Sequence, residues 1–419
     1  MKIVSIKNSE FFRNVMKMFS STIFAQFIQI IGSFLLARLY DPAQFGFFSL
    51  FMSILMFLVL LSTLRYESII IIEKIEKIAL MMMNSLFIYG FSLSLFILLI
   101  LLLIPEPILI QYKINSFYYL IPLGVVIYSF YNILTSYYIR IKDFTFIAKS
   151  KIFIAFFVVL FQLIFYYLDV EYGLIIGFVL GYLFIVIYMF SVLVLNKKVY
   201  ISSKKRILVI LKKYFYLVKF GLPAQLVDTM SNAVLPILIA MWFDLRLAGL
   251  YYFAYKIINI PLQLIGVAVG KVYYQKASYL FNHKREQLYT FTIKIIALIS
   301  ITVFIPMIIL FFFSEDIIVL FIGDKWIESG TYVSMLVYML FFRTIFSSIS
   351  TLADITQKLK VIFVFSIMIF CVYVTSMYIG YQYNDFILAI KIISISNALL
   401  YLSQILYLVF VTKKLKVLI

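Results

Sequence analysis

A-R-L-Y-D-P-A-Q-F-G, Ala37 to Gly46, is a polar hinge between two long apolar runs. Shifted by 203 residues without a gap, the chain offers A-M-W-F-D-L-R-L-A-G, Ala240 to Gly249, again between two apolar runs. Alanine, aspartate and glycine fall in register. Aspartate accepts backbone N–H bonds at a helix start, and glycine lets the next helix come close. A shift of nearly half the chain length predicts a protein built twice, as two lobes that each open with the same helix hairpin.

The composition sets the solvent. Of 419 residues 65% are hydrophobic and 13% charged, far too little polar surface to cover a water-soluble globule, so the chain reads as a polytopic membrane protein. The apolar run from Met18 follows Lys7, Arg13 and Lys17 and is as long as a bilayer span. No small-residue cleavage site follows it, which predicts an uncleaved first transmembrane helix. Cys371 is the only cysteine, which excludes an intrachain disulfide. His283 is the only histidine, in the basic segment F-N-H-K-R-E, and has no second His or Cys with which to hold a metal.

Twelve apolar segments have the length of a membrane span, at 18–38, 43–64, 78–104, 117–139, 152–168, 172–195, 220–243, 248–270, 292–313, 331–353, 361–381 and 386–411. With a cytoplasmic N-terminus, 29 of the 36 Lys/Arg fall on the inside and four on the outside, Arg38, Lys113, Arg246 and Lys325. The positive-inside rule then places both termini in the cytoplasm. The net charge of +18 is accounted for by topology and not by nucleic acid. The largest polar interruption divides the chain into a first lobe, 1–195, a basic linker, 196–219, and a second lobe, 220–419. The linker's later half puts Leu208, Leu211, Phe215 and Val218 near one face, as in an amphipathic helix on the anionic inner leaflet; the alternative is an ordinary basic loop. Six helices per lobe give both lobes one orientation, related by an axis along the membrane normal, an arrangement that in transporters puts the pathway between lobes. The longest external loop, Ser314 to Gly330, leaves no room for an extramembrane catalytic domain.

Charged residues inside spans are informative, because each costs roughly 2.5–3.5 kcal/mol at the bilayer centre. Arg343 falls near the middle of the tenth span, Lys256 in the eighth, Lys391 toward the outer end of the twelfth and Asp228 in the seventh. One reading lines a cavity with Lys256 and Arg343 to attract an anionic substrate, while Asp228 keeps a proton or cation within reach. The other makes them buried pairs that serve packing alone. Lys391 is also able to reach the interface by snorkelling. Gln26, Gln29, Asn84, Asn132 and Gln162 in the first lobe either meet sugar hydroxyls or join helices. Pro223, Pro236, Pro261 and Pro306 lie in or beside the seventh to ninth spans, where proline bends a helix; Pro223 and Pro261 stand near Asp228 and Lys256 as gating candidates. The 33 tyrosines either stack on sugars or form interface belts. No dinucleotide or nucleotide-phosphate loop, nucleophile elbow or His/Cys cluster is present, so the chain reads as no enzyme.

F-x-x-x-L-L-A-R-L-Y-D-P-A-Q-F-G-F-F-S-L-F and, one helix later, L-R-Y-E-S-I-I-I, Leu64 to Ile71, resemble the Wzx-type polysaccharide flippase branch of the multidrug/oligosaccharidyl-lipid/polysaccharide exporter superfamily. Ser68 and Ile69 depart mildly from that pattern. F-I-G-D-K-W-I-E-S-G, Phe321 to Gly330, resembles the family's element between the ninth and tenth helices, with Ser329 for alanine. The resemblance implies an all-α fold of twelve helices in two six-helix bundles forming a V around a central cavity. It implies a flippase of the bacterial cytoplasmic membrane that moves an undecaprenyl-diphosphate-linked oligosaccharide outward by alternating access. An ion gradient of protons or sodium, a polysaccharide polymerase and a chain-length regulator are the implied driving force and partners. By position, Arg65, Tyr66 and Glu67 would lie at the cytoplasmic mouth. There Arg65 and Glu67 form a gate pair, Arg65 meets the diphosphate, or the two make a plain helix-end pair. A cation or drug antiporter of the same fold and a membrane polymerase are the alternatives. The first would favour an acidic first lobe, and the second a large external loop.

Overall fold

In lipid a backbone has no water to bond, so an apolar chain satisfies its N–H and C=O groups within helices. The computed structural model describes residues 10–111, 117–195, 204–215, 218–219 and 222–417, and every regular element among them is helical. In chain order these are α1 (Glu10–Leu39), α2 (Pro42–Thr63), α3 (Glu67–Ile72), α4 (Glu76–Leu103), α5 (Glu106–Gln111), α6 (Leu120–Arg140), α7 (Phe144–Tyr167) and α8 (Gly173–Leu195). Then come α9 (Lys204–Lys213), α10 (Leu222–Trp242), α11 (Leu245–His283), α12 (Arg285–Ile322), α13 (Ile327–Ile349), α14 (Leu352–Ile355), α15 (Leu359–Gln382) and α16 (Phe386–Val417). Among the described residues twelve helices are long and apolar enough to cross a membrane, the number read from the sequence. The protein is a multi-pass membrane protein of all-α class. Its chain divides into two compact units, Met1–Thr229 and Met230–Ile419.

The aspartates that fall in register do the same work. Asp41 precedes α2 in extended conformation; its N–H donates to Oε1 of Gln44 at 3.0 Å, and Pro42 takes the first helical position. Asp244 precedes α11, and its carboxylate accepts the Leu247 N–H at 2.6 Å. Gly46 and Gly249 are both buried.

A second register appears in the backbone. The turns after α6 and after α14 end with left-handed residues, Lys142 at φ 59° and Gln357 at φ 58°, which are 215 positions apart. The turns after α7 and α15 do so at Asp169, φ 53°, and Asn384, φ 51°, again 215 apart. The closing bonds match as well. Asp143 N–H donates to the Tyr138 carbonyl and Lys358 N–H to that of Ala353; Val170 donates to Phe165 and Asp385 to Gly380. All four are helix C-terminal turns closed by the same bond, repeated in each half.

Small and hydroxylated side chains join the helices. In the first unit Tyr40 donates to the Gln162 carbonyl at 2.7 Å, and Gln162 Nε2 donates to the Leu174 carbonyl at 2.8 Å, so Gln162 joins helices. Ser94 donates to the Pro122 carbonyl at 2.6 Å. At Gly181 of α8, an added Cβ would stand 2.8 Å from both Cα and N of Val158 in α7, so the two backbones touch only because no side chain intervenes. In the second unit Ser329 donates to the Leu250 carbonyl at 3.0 Å and Ser314 to that of Gly330 at 2.8 Å. Trp326 is fully buried against Phe253 at 4.6 Å between ring centres.

Two expected loops are helix instead. The basic stretch after residue 270 continues α11 to His283, and α12 begins at Arg285, leaving Lys284 alone as the connection. Ser314 to Gly330, read as the longest external loop, is the end of α12, a 3-10 turn at Asp324–Trp326 and the start of α13. In both places charged residues that interrupt hydropathy are good helix formers, so the helix runs on past the apolar run. Likewise α7 starts at Phe144 and carries Lys151, whose ammonium donates to the Thr22 hydroxyl at 3.2 Å.

Candidate substrate site

α11 carries the residues around which the site is built. Tyr252, Tyr255, Lys256 and Asn259 recur at spacings of three, four and seven, which puts them on one helical face, and all four are half-buried. Tyr251 and Tyr255 stack at 6.0 Å with their planes 18° apart. Across from this face, α13 brings Arg343, also half-buried. Its Nη1 donates to the Tyr255 hydroxyl and to Asn259 Oδ1, the latter at 3.5 Å. The guanidinium carbon lies 5.7 Å from the Tyr255 ring centre, and Tyr373 and Tyr401 are within electrostatic reach. Lys256 holds its ammonium 5.7 Å from the ring of Tyr252.

The electrostatics follow from what is missing around these two cations. Among the described residues neither Arg343 nor Lys256 is ion-paired to a carboxylate. Their partners are hydroxyl and amide oxygens and ring faces. Such neighbours orient a cation without neutralising it, so positive charge remains on this face.

The other sequence candidates are spread more widely. Arg343 is six residues from the C-terminal end of α13 and not at its middle, because the helix starts and stops earlier than hydropathy indicates. Lys391 is exposed on α16 and makes no described contact with Arg343 or Lys256. Asp228 is exposed, six residues into α10. Pro223 is the second described residue of α10 and is exposed. Pro261 lies inside α11 and removes the N–H that would bond the Ile257 carbonyl, two turns below the Arg343 contacts of Tyr255.

The Arg-Tyr-Glu element makes a tight corner between α2 and α3. Leu64 and Arg65 both take left-handed backbone, φ 49° and 63°, and Tyr66 is buried. Among the described residues no ion pair joins Arg65 to Glu67, and one Glu67 oxygen is buried without a hydrogen-bond partner. The pairing falls on Glu73, at the end of α3. Its carboxylate accepts the Tyr214 hydroxyl at 2.6 Å and the Lys213 ammonium at 3.4 Å, while Tyr66 donates to the Leu211 carbonyl at 3.4 Å. The Tyr214 hydroxyl above all, with the Ile75 N–H and Lys213, holds the Glu73 carboxyl down at about 2 against burial, which pushes the other way. Arg140 bonds the carbonyls of Ile70, Glu73 and Lys74 from the far side. The linker helix α9, helical as its charge pattern predicts, is thereby tied to the corner after α3; Ile210 is buried, while Phe215, expected on the apolar face, is 55% exposed beyond the helix end.

Tyr255 and Glu73 were not among the sequence candidates. The spacing of Tyr252, Tyr255, Lys256 and Asn259 was the available signal for the first. Glu73 had none, since its partners lie about 140 residues away.

A family model described as "Polysaccharide biosynthesis protein" matches residues 35–331. No curated protein matches. Among solved structures, a lipid II flippase MurJ in an inward closed conformation is 17% identical, with a TM-score of 0.70, covering 94% of this chain and 87% of that one. An inward-facing multidrug resistance MATE family transporter of the MOP superfamily is 14% identical at a TM-score of 0.69, covering 93% and 95%. A MOP superfamily transporter from Pyrococcus furiosus is 12% identical at 0.56, covering 96% of each.

Proposed function

Because this chain belongs to the polysaccharide biosynthesis protein family and has the fold of MOP superfamily transporters, we propose that it is a flippase for undecaprenyl-diphosphate-linked oligosaccharide repeat units. It carries them from the cytoplasmic to the external leaflet of the bacterial cytoplasmic membrane by alternating access. The observation behind the reading is the pair of half-buried cations, Arg343 and Lys256, that no carboxylate among the described residues neutralises. A diphosphate brings the missing negative charge, and a guanidinium held by a hydroxyl and an amide on one edge keeps its other donors for phosphate oxygens. A structure of the same fold described as a lipid II flippase supports a lipid-linked substrate. Lys391 on the exposed face of α16 and Arg65 at the α2–α3 corner are further contacts for the anion along its path. Asp228 couples the cycle to a proton or sodium gradient, with Pro261 as the bend. The polymerase and chain-length regulator receive the product outside.

Deletion of the gene should leave lipid-linked repeat units facing the cytoplasm, and normal surface polysaccharide in that strain refutes the assignment. Complementation with Arg343→Ala should lower export roughly tenfold or more, as loss of a charged hydrogen bond would. Arg343→Lys should keep part of it. Full export by a normally expressed Arg343→Ala protein removes this residue from the pathway.

A further inference from the structure

The 215-residue register of the four turns maps one half of the protein onto the other. Counted back from the first pair of turns, Arg343 of α13 falls on Tyr128 of α6; counted forward from the second pair, Asn397 of α16 falls on Tyr182 of α8. The duplicated position that holds a cation in the second half therefore holds an aromatic alcohol in the first. Its surroundings are consistent. Tyr128, Tyr131, Asn132 and Thr135 repeat the spacing of three, four and seven seen on α11 and share one face of α6. Tyr182 lies 4.9 Å from Tyr128 and 5.3 Å from Tyr131 between ring centres, and Phe178 4.7 Å from Tyr182.

All of Tyr128, Tyr131, Asn132, Thr135 and Tyr182 are half-buried, so each keeps some open surface. A face turned to lipid looks different in this protein. On α4 it is Ile88, Phe91, Leu95, Leu99 and Leu102, each 49% exposed or more. A stripe of hydroxyls and an amide at mid-helix is unsuited to hydrocarbon.

We infer that this stripe, within the first unit, is a sugar-binding subsite that takes a pyranose ring of the cargo. The inference rests on the flippase reading above. A sugar has an apolar C–H face that stacks on an aromatic ring and a rim of hydroxyls that exchange hydrogen bonds with Tyr, Asn and Thr. No charged residue belongs to the stripe, which suits a neutral ring and not a phosphate.

The test uses the full-length protein in nanodiscs and two probes, bare undecaprenyl diphosphate and the lipid-linked repeat unit extracted from the deletion strain. Wild type should bind the sugar-bearing lipid about tenfold more tightly. Tyr182→Ala should cut that preference by about two- to tenfold, the range of one aromatic contact, with binding of the bare lipid unchanged. The near-isosteric Thr135→Val, which leaves the packing intact, should lose part of the preference, and Tyr131→Phe should keep most of it. Undiminished preference in both Tyr182→Ala and Thr135→Val overturns the subsite alone, as does equal weakening of both lipids. Wild-type protein that binds neither probe overturns the flippase reading, and the subsite with it.

Discussion

A guanidinium placed among Leu, Met and Phe on α13 costs several kcal/mol relative to water, and the Tyr255 hydroxyl and Asn259 carbonyl offset part of this by accepting its protons. Tyr255→Phe removes an acceptor and leaves a half-buried charge short of partners, so it should destabilise the protein by about 1–3 kcal/mol in a detergent unfolding titration. Adding Arg343→Met to that variant should restore most of the loss, since the orphaned charge goes with it. Arg343 was legible in the sequence because a charge inside an apolar run stands out against its neighbours. Tyr255 was not, because it is one of 33 tyrosines and only its spacing to Lys256 and Asn259 marks it. Glu73 carries a pH signature. Its carboxyl is depressed in the folded state from about 4.5 to about 2, so its contribution is complete above the higher value and is lost as pH falls toward the lower. Amide exchange in α9 should stay constant from pH 7 to 5, after allowing for the intrinsic rate, and accelerate between about 4.5 and 2; Glu73→Gln should abolish that step.

At the scale of the element, two contacts invite substitution. The tie between α9 and the corner after α3 combines a short bond from Tyr214 with a longer one from Lys213, whose side chain is 61% exposed. Exposed pairs contribute little, so Tyr214→Phe should raise α9 exchange far more than Lys213→Ala. At the α7–α8 contact, Gly181→Ala forces a methyl against the backbone of Val158 and should destabilise by about 1–3 kcal/mol, read as a lowered unfolding midpoint. The twelve spans were legible because lipid rewards uninterrupted apolar length. The true ends of α11 and α12 were not, because Lys271, Lys276 and Arg285 read as loop to hydropathy although lysine and arginine are sound helix formers. The corner at Leu64 and Arg65 was hidden for a related reason: neither residue advertises left-handed backbone.

Over the whole molecule, duplication was half visible. The 203-residue register shows in the sequence because a helix start demands particular side chains, here Asp41 and Asp244. The 215-residue register does not, since Lys142 and Gln357, or Asp169 and Asn384, share only a backbone shape that several residue types supply. A cytoplasmic N-terminus, the expectation from the charge bias, would place Lys142 and Gln357 on the cytoplasmic side and Asp169 and Asn384 outside. In a Cys371→Ala background, cysteines at the first pair should react with a membrane-impermeant maleimide only after permeabilisation, and cysteines at the second pair in intact cells. The opposite pattern would invert the topology. The 39 residues of α11 span about 58 Å, nearly twice the hydrocarbon thickness, and Pro261 interrupts them about 33 Å from the His283 tip. A rod hinged there multiplies angle into displacement: about 10° of bending at the proline swings the tip through about 6 Å. The molecule thus carries its own pointer, and a spin label at Asn282 would read small rearrangements deep in the bilayer as large excursions in water.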